Sequence, residues 1–364
     1  MARRRVETSL EPPDHCFAKE LAGEALPSFS SLRALYDLAT ELFRLRPWEI
    51  LGESELILVR AGAGGEMCYC SVMGAAGEVY SMHAYIGTEG FRLFHEIRAE
   101  EIAEPSEFIA RQHGVSVEFV PKNELDRQDR ELLSWLGHPK GKGIASPIFR
   151  AMRPGFFPWF VSAEEAQTLA ECIGAVIAVC SEIQREERKR FWERADTYPL
   201  VSKVEGEESN CRIELVKAIR PEKAEAPPVR LNEERLAPLR NHDYPMRGVT
   251  ELDHIASGTR VGKAHERNTL ACFALAVDGA TGIVYAPETT DSTVPAAEAL
   301  ANAFLKSVQA TRCIPKEVRV RTKALMDSLT PLMSSLGVVV KVSRKLPAAD
   351  EARSHLLQFL GGRL

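Results

Sequence analysis

The stretch from residue 46 to residue 95, RPWEILGESELILVRAGAGGEMCYCSVMGAAGEVYSMHAYIGTEGFRLFH, restricts the fold more than any other part of the chain. It packs three strand-like runs, three Gly-rich turns and a helix start into one segment. Residues 55–61, 67–73 and 79–86 are rich in β-branched and aromatic side chains and are separated by glycine turns at 62–65 and 74–77, a spacing that predicts an antiparallel meander. A turn at Gly74 to Gly77 sets Met73 opposite Glu78, Cys70 opposite Ser81 and Cys68 opposite His83. In that register Cys68, Cys70, Ser81 and His83 share one face, and Tyr69, Met73, Tyr80 and Met82 line the other. Both faces are at least half apolar, so the sheet is expected to be covered on both sides. Gly87 to Gly90 then turns the chain into a helix carrying Phe91, Leu93 and Ile97.

Residues 1–27 lack periodicity and read as a loose arm. Ser28 or Ser30 is placed to cap a helix whose apolar positions, Leu32, Leu35, Leu38, Ala39, Leu42 and Phe43, recur at three and four. Beyond the meander, residues 115–120 alternate as a strand, Asn123 is the expected cap of a helix bearing Leu125, Leu132, Leu133 and Leu136, and residues 144–152 form a further strand. Ser162-Ala163-Glu164-Glu165 is a capping box opening the longest helix, whose stripe runs from Ala166 through Ile173 to Ile183. Strands at 200–204 and 211–219 close this part. Residues 221–231 have a linker's composition, so the reading is an α+β domain at 28–220 on a mostly antiparallel sheet and a smaller α/β domain at 232–364.

The second domain begins irregularly, through residue 268, and then becomes regular. A hairpin at 270–287 turns on Asp278-Gly279, followed by a helix with Leu300, Phe304 and Val308 on one face, a strand at 317–321, a helix at 325–336 interrupted or kinked at Pro331, a strand at 338–342 and a terminal helix. The order ββαβαβα predicts a mixed sheet, because β-α-β connections favour parallel pairing.

A chain of 364 residues, 45% hydrophobic and 27% charged, has the composition of an ordinary globular protein with room for two cores. A net charge of -5 argues against a general polyanion binder. Arg3, Arg4 and Arg5 are followed by Glu7, Glu11, Pro12, Pro13 and Asp14, where a signal peptide needs an apolar core. The eight cysteines are scattered, and reduced, mostly buried thiols in a cytoplasmic protein are expected.

Several residue groups are candidates for chemistry. Cys68, Cys70 and His83 would give three zinc ligands in the register above, but no fourth ligand and no CxxC pair accompanies them, so no metal or cofactor is expected. Lys140 and Lys142, in the loop 138–143, do not match GxxxxGK[ST] and read as a solvated basic turn. His242, Asp243, Asp253, His254, His265 and Glu266 cluster without metal-ligand spacing. Asp278, with Glu288 and Asp291, is the catalytic candidate, since an Asp leaving the first strand of a mixed sheet resembles RNase H-like nucleases, whose carboxylates hold two magnesium ions. The later strand end, where such an enzyme carries another acid, reads Arg319-Val320-Arg321. Arg319, Arg321, Lys323, Lys341 and Arg344 together could form a basic rim for an acidic partner or nucleic acid. Without interleaved aromatics to stack bases, nucleic acid is the less favoured partner.

Pro47-Trp48-Glu49, then Ser71-Val72-Met73-Gly74 with Gly77-Glu78, then Tyr85-Ile86-Gly87-Thr88-Glu89-Gly90, resembles a bacterial domain of unknown function with a PWE...SVMG...GE...YxGxEG pattern. Residues 270–360 resemble a second uncharacterised domain that follows it. The resemblance implies a two-domain protein and carries no activity or site residue with it. The expectation is a non-catalytic binding or interaction protein whose partner the sequence leaves open, a protein or, less favoured, nucleic acid, with no membrane; the alternative is a degenerate or divergent RNase H-like nucleic-acid-binding or metal-dependent nuclease domain at the C-terminus.

Overall fold

The structure, a computed structural model, describes residues 25–361 except 101, 103, 104, 138–144, 184–188, 193, 195, 204–210, 222–226, 230–235, 238, 240–242 and 264–266. Most of the N-terminal arm, the basic loop, much of the linker, His242, His265 and Glu266 therefore lie outside the described residues. The chain divides into two compact units, one holding residues 1–221 and 262–267, the other 222–261 and 268–364.

The first unit is built on a seven-stranded sheet in the order β5-β4-β3-β2-β1-β6-β7. Its strands are β1 (Ile57–Ala61), β2 (Glu66–Met73), β3 (Tyr80–Ile86), β4 (Gly114–Val120), β5 (Ser146–Met152), β6 (Thr197–Lys203) and β7 (Cys211–Lys217). Every neighbouring pair is antiparallel except β1 with β6. Helices α1 (Phe29–Leu45) and α5 (Ala163–Ile183) cover one face, where Leu35, Leu42, Leu169, Ile173 and Val176 meet Ile57, Val72, Met82 and Val117. Helix α2 (Gly87–Arg98) and the short α6 (Lys189–Trp192) cover part of the other, with Phe91 and Phe94 against Tyr69, Tyr85 and Tyr198. Two shorter helices, α3 (Pro105–Arg111) and α4 (Arg127–Trp135), complete the unit.

Helix starts follow local chemistry. Ser28 caps α1 by accepting from Ser31 N–H. The capping box is made at both ends: Ser162 N–H donates to Glu165 at 2.8 Å, and Glu165 N–H to the Ser162 hydroxyl at 3.2 Å. The cap of α4 is Asp126, not Asn123, because Asp126 Oδ1 accepts from Asp129 N–H at 2.7 Å. Of the described helices, α5 is long and apolar enough to cross a membrane by length and composition, and half of its most apolar window is buried inside the unit.

The second unit carries a five-stranded sheet in the order β10-β9-β8-β11-β12, from β8 (Val249–Val261), β9 (Thr269–Asp278), β10 (Val284–Asp291), β11 (Glu317–Val320) and β12 (Val339–Val342). The first three pair antiparallel, and β8, β11 and β12 run parallel, so the sheet is mixed. Helices α7 (Ala296–Thr311) and α8 (Lys323–Ser334) build one core with Leu252, Ala276, Val318 and Val320. Helix α9 (Pro347–Gly361) packs on the other face against Ile255, Leu275 and Val277. Helix α8 continues through Pro331.

The element order here is βββαβαβα, so the sequence-based order missed a strand. β8 occupies the segment read as irregular. Its residues Val249-Thr250-Glu251-Leu252-Asp253-His254-Ile255 hide their alternation, because Glu251 and Asp253 stand where apolar residues mark a buried face, and both are 1% exposed. Carboxylates at core positions defeat a pattern that equates buried with apolar.

Candidate functional site

In the meander the pairing is Cys68 with Ile86, Cys70 with Ala84, Ser71 with His83 and Met73 with Ser81. The connection runs from Gly74 to Val79, longer than a turn closed at Gly77. Its shape is set by packing around Gly74, which has φ +137°. A Cβ there would lie 2.8 Å from Tyr80 Cδ1 and 3.2 Å from Trp48 Cβ, and the Trp48 and Tyr80 rings sit 4.6 Å apart. The register therefore moves by three residues, and an odd shift turns one strand's side chains over relative to its neighbour.

This corrects the proposed zinc trio. Cys68 and Cys70 face α1 and α5 with Met82, while His83 lies on the opposite face, stacked on Tyr85 at 4.2 Å. Tyr69 and Met73 likewise separate from Tyr80 and Met82. Burial lowers the pKa of His83 to about 4, so its ring is neutral at pH 7. The neighbour the two thiols do find is Cys172 of α5, whose thiol pKa is raised well above the usual value by hydrogen bonds with Cys68 and Cys70 and by burial. Among the described residues, no group of three or more His, Cys, Asp or Glu side chains is arranged to hold a metal ion.

The carboxylates Asp278, Glu288 and Asp291 are not convergent. With β8 in place, Asp278 ends the second strand of its sheet, not the first. Its Oδ1 accepts from Ala280 N–H, Thr281 N–H and the Thr281 hydroxyl. Slight burial works against ionisation, and these bonds outweigh it, holding the carboxyl below its ordinary pKa. Asp291 caps a different turn through Thr293, and Glu288 is ion-paired with Lys306 of α7. Because Asp291 pairs with Ala271 and Asp278 lies seven residues further along β9, the two ends stand roughly 24 Å apart at strand rise.

Most of the basic candidates are engaged by carboxylates. Arg319 and Lys341 are register partners on β11 and β12, and Glu317 takes hydrogen bonds from both, at 2.7 Å and 2.5 Å. Lys323 pairs with Asp327 at 2.6 Å. Arg344 is exposed. Arg321 turns inward to Asp253, with Nε to Oδ1 at 2.7 Å and an Nη2 to Oδ2 contact at 3.0 Å, and also reaches Asp350.

Asp253 is thus the centre of the most heavily built polar group in the second unit. It stands on β8, beside the end of β11 and beneath α9. Arg353 of α9 adds a second bidentate fork, at 2.9 Å and 3.1 Å, so both carboxylate oxygens accept from two guanidinium groups. Burial opposes ionisation, and the four hydrogen bonds outweigh it, so the carboxyl is held below its ordinary pKa. Glu251, two residues earlier on the same face, accepts from Ala349 N–H in the first turn of α9 at 2.9 Å. The sequence places Asp253 only in a loose polar cluster and gives no sign of Arg353. Arginines at β11 and in the last helix, with an acid on a hidden strand, carry no spacing that sequence alone exposes.

No curated protein matches the chain. Residues 33–200 match the model of a domain of unknown function (DUF7309), and residues 235–357 match that of a second domain of unknown function (DUF6930). The first match takes in the meander, α5 and the start of β6, and the second takes in the mixed sheet with Asp253, Arg321 and Arg353. The two matched domains of unknown function lie in tandem along the chain, consistent with an uncharacterised two-domain family.

Proposed function

We propose that this chain is a non-catalytic binding or interaction protein of the bacterial cytoplasm, whose C-terminal unit is an RNase H-like frame with its metal-holding position closed by arginine. Three antiparallel strands followed by two parallel ones, in the order β10-β9-β8-β11-β12, support the RNase H-like reading by analogy of strand order alone. In such a frame the carboxylate on the first strand would hold a divalent cation. The observation that carries the reading is that Asp253, the buried carboxylate on β8, is saturated by Arg321 and Arg353. Two fixed guanidinium charges at that point repel a cation and occupy the lone pairs it would use. Cys68, Cys70, Cys172, Cys180, Cys211, Cys272 and Cys313 are free thiols, which suits a reducing compartment.

Calorimetric titration of the whole chain with magnesium and manganese tests this reading. The expected result is no saturable heat, with no divalent-dependent cleavage of a labelled oligonucleotide. Saturable binding that Asp253→Asn abolishes would overturn it. A second reading, nucleic-acid binding without cleavage, draws on Arg319 and Lys341 as register neighbours. Its test is fluorescence anisotropy with a labelled oligonucleotide. Salt-sensitive binding lost in the Arg319→Ala, Lys341→Ala double variant would favour it.

A further inference from the structure

Among the described residues, β7 pairs with β6 on its inner side and with no strand on its outer side. Its seven residues keep continuous register with β6, without proline or bulge, the devices that usually blunt a sheet edge. Ala218 N–H donates to Asp196 C=O at 2.8 Å, next to the Thr197 and Lys217 pair. Antiparallel alternation then aims the backbone groups of Arg212, Glu214 and Val216 at β6 and leaves those of Cys211, Ile213, Leu215 and Lys217 pointing outward. Leu215 is 46% exposed and Cys211 is exposed, on the same side of the strand as Ile213.

We propose that this edge pairs with β7 of a second copy of the chain, antiparallel about a two-fold axis through Ile213, joining the two sheets into one. The charges on the strand select the partner and the register. Outward backbone groups meet only when odd-numbered residues face odd-numbered residues, so among two-folds on a residue of β7 the best overlap falls on Ile213, Glu214 or Leu215. A two-fold at Glu214 sets two carboxylates against each other, and one at Leu215 sets Glu214 against Val216 and leaves Arg212 beyond the paired residues, with no opposite charges facing. Like charges directly opposite are destabilising. The two-fold at Ile213 instead sets Arg212 opposite Glu214 twice, in the closer, non-hydrogen-bonded pairs. Arg212 and Glu214 already meet at 2.6 Å within one strand, so the dimer arranges four charges with alternating sign. On the other side of the ribbon Cys211 falls opposite Leu215 and Ile213 opposite itself, which covers the exposed leucine. About six backbone hydrogen bonds join the copies. The interface is isologous, as closed two-fold symmetry requires.

Sedimentation equilibrium of the full chain, from sub-micromolar to hundred-micromolar concentration, tests the proposal. The expected result is a reversible monomer–dimer equilibrium. Glu214→Arg should raise the dissociation constant about tenfold, since both symmetric pairs turn repulsive. The charge exchange Arg212→Glu with Glu214→Arg should restore it. Leu215→Pro removes an outward donor without touching a β6–β7 hydrogen bond, and should give monomers. Circular dichroism confirms that each variant stays folded. A wild type that stays monomeric throughout overturns the proposal, as does a dimer indifferent to Glu214→Arg and Leu215→Pro. Failure of the charge exchange to restore dimerisation overturns the register.

Discussion

Tyr69 of β2 lies flat on Phe91 of α2, with ring centroids 4.2 Å apart and 9° between the planes. The contact exists because alternation along β2 turns Tyr69 to the side opposite Cys68 and Cys70, which face α5. Phe91 is 2% exposed and also meets His95 and Tyr198 edge-on. Phe91→Ala is therefore expected to cost about 3–5 kcal/mol. Urea denaturation followed by tryptophan fluorescence measures it. A midpoint unchanged from wild type would mean that α2 is not held to the sheet in this way.

His83 makes folding pH-dependent. Its pKa falls from 6.5 to about 4 on burial, so between those values the unfolded chain binds a proton that the folded chain refuses. The contribution is complete above pH 6.5 and is lost as pH falls toward 4, for a total of about 3 kcal/mol. Urea midpoints at pH 7 and pH 4.5 should differ more for the wild type than for His83→Gln. Equal differences would place the ring in water.

Two glycines should respond in opposite directions to alanine. Gly174 is inside α5, and nothing lies within 4 Å of where its Cβ would be. Gly174→Ala should stabilise by about 0.5–1 kcal/mol, through helix propensity and a less free unfolded chain. At Gly114 a Cβ would sit 2.4 Å from Ala84 O and 3.1 Å from His83 Nε2, so Gly114→Ala must displace backbone and should destabilise. Thermal melts of the pair check the sign of each change.

The arginine closure over Asp253 should be far more sensitive than the surface pairs. Asp253→Asn keeps the side chain's shape and removes the buried carboxylate that Arg321 and Arg353 share, at a cost of about 3–5 kcal/mol. Glu288→Gln, which removes the more open pair with Lys306, should cost less than about 1 kcal/mol. Chemical denaturation of both variants decides the matter. Comparable losses would show that Asp253 is not the keystone of the second unit.

Much of the fold could be read from neighbouring residues. β-branched and aromatic runs placed β1, β2 and β3, the Ser162 and Glu165 pair placed the start of α5, and the periodic leucines placed α1 and α7. What could not be read depends on groups far apart in the chain. The turn after Met73 is shaped by Trp48 and Tyr80 around Gly74, and its extra length turned His83 away from Cys68 and Cys70. β8 escaped notice because Glu251 and Asp253 occupy its buried positions, satisfied by the N-terminus of α9 and by Arg321 and Arg353.

The sequence by itself determined which segments become helix and strand wherever the period of apolar side chains is unbroken, since that period follows from backbone geometry alone. It also determined that the second sheet is mixed, since β-α-β connections favour parallel pairing. Only the tertiary structure decided which side chains share a face, which strand is central in the second sheet and what neutralises its buried acids. Register and charge pairing are set by contacts between distant residues, such as Arg353 with Asp253 and Tyr80 with Trp48, whose energies appear only once the chain has brought them together.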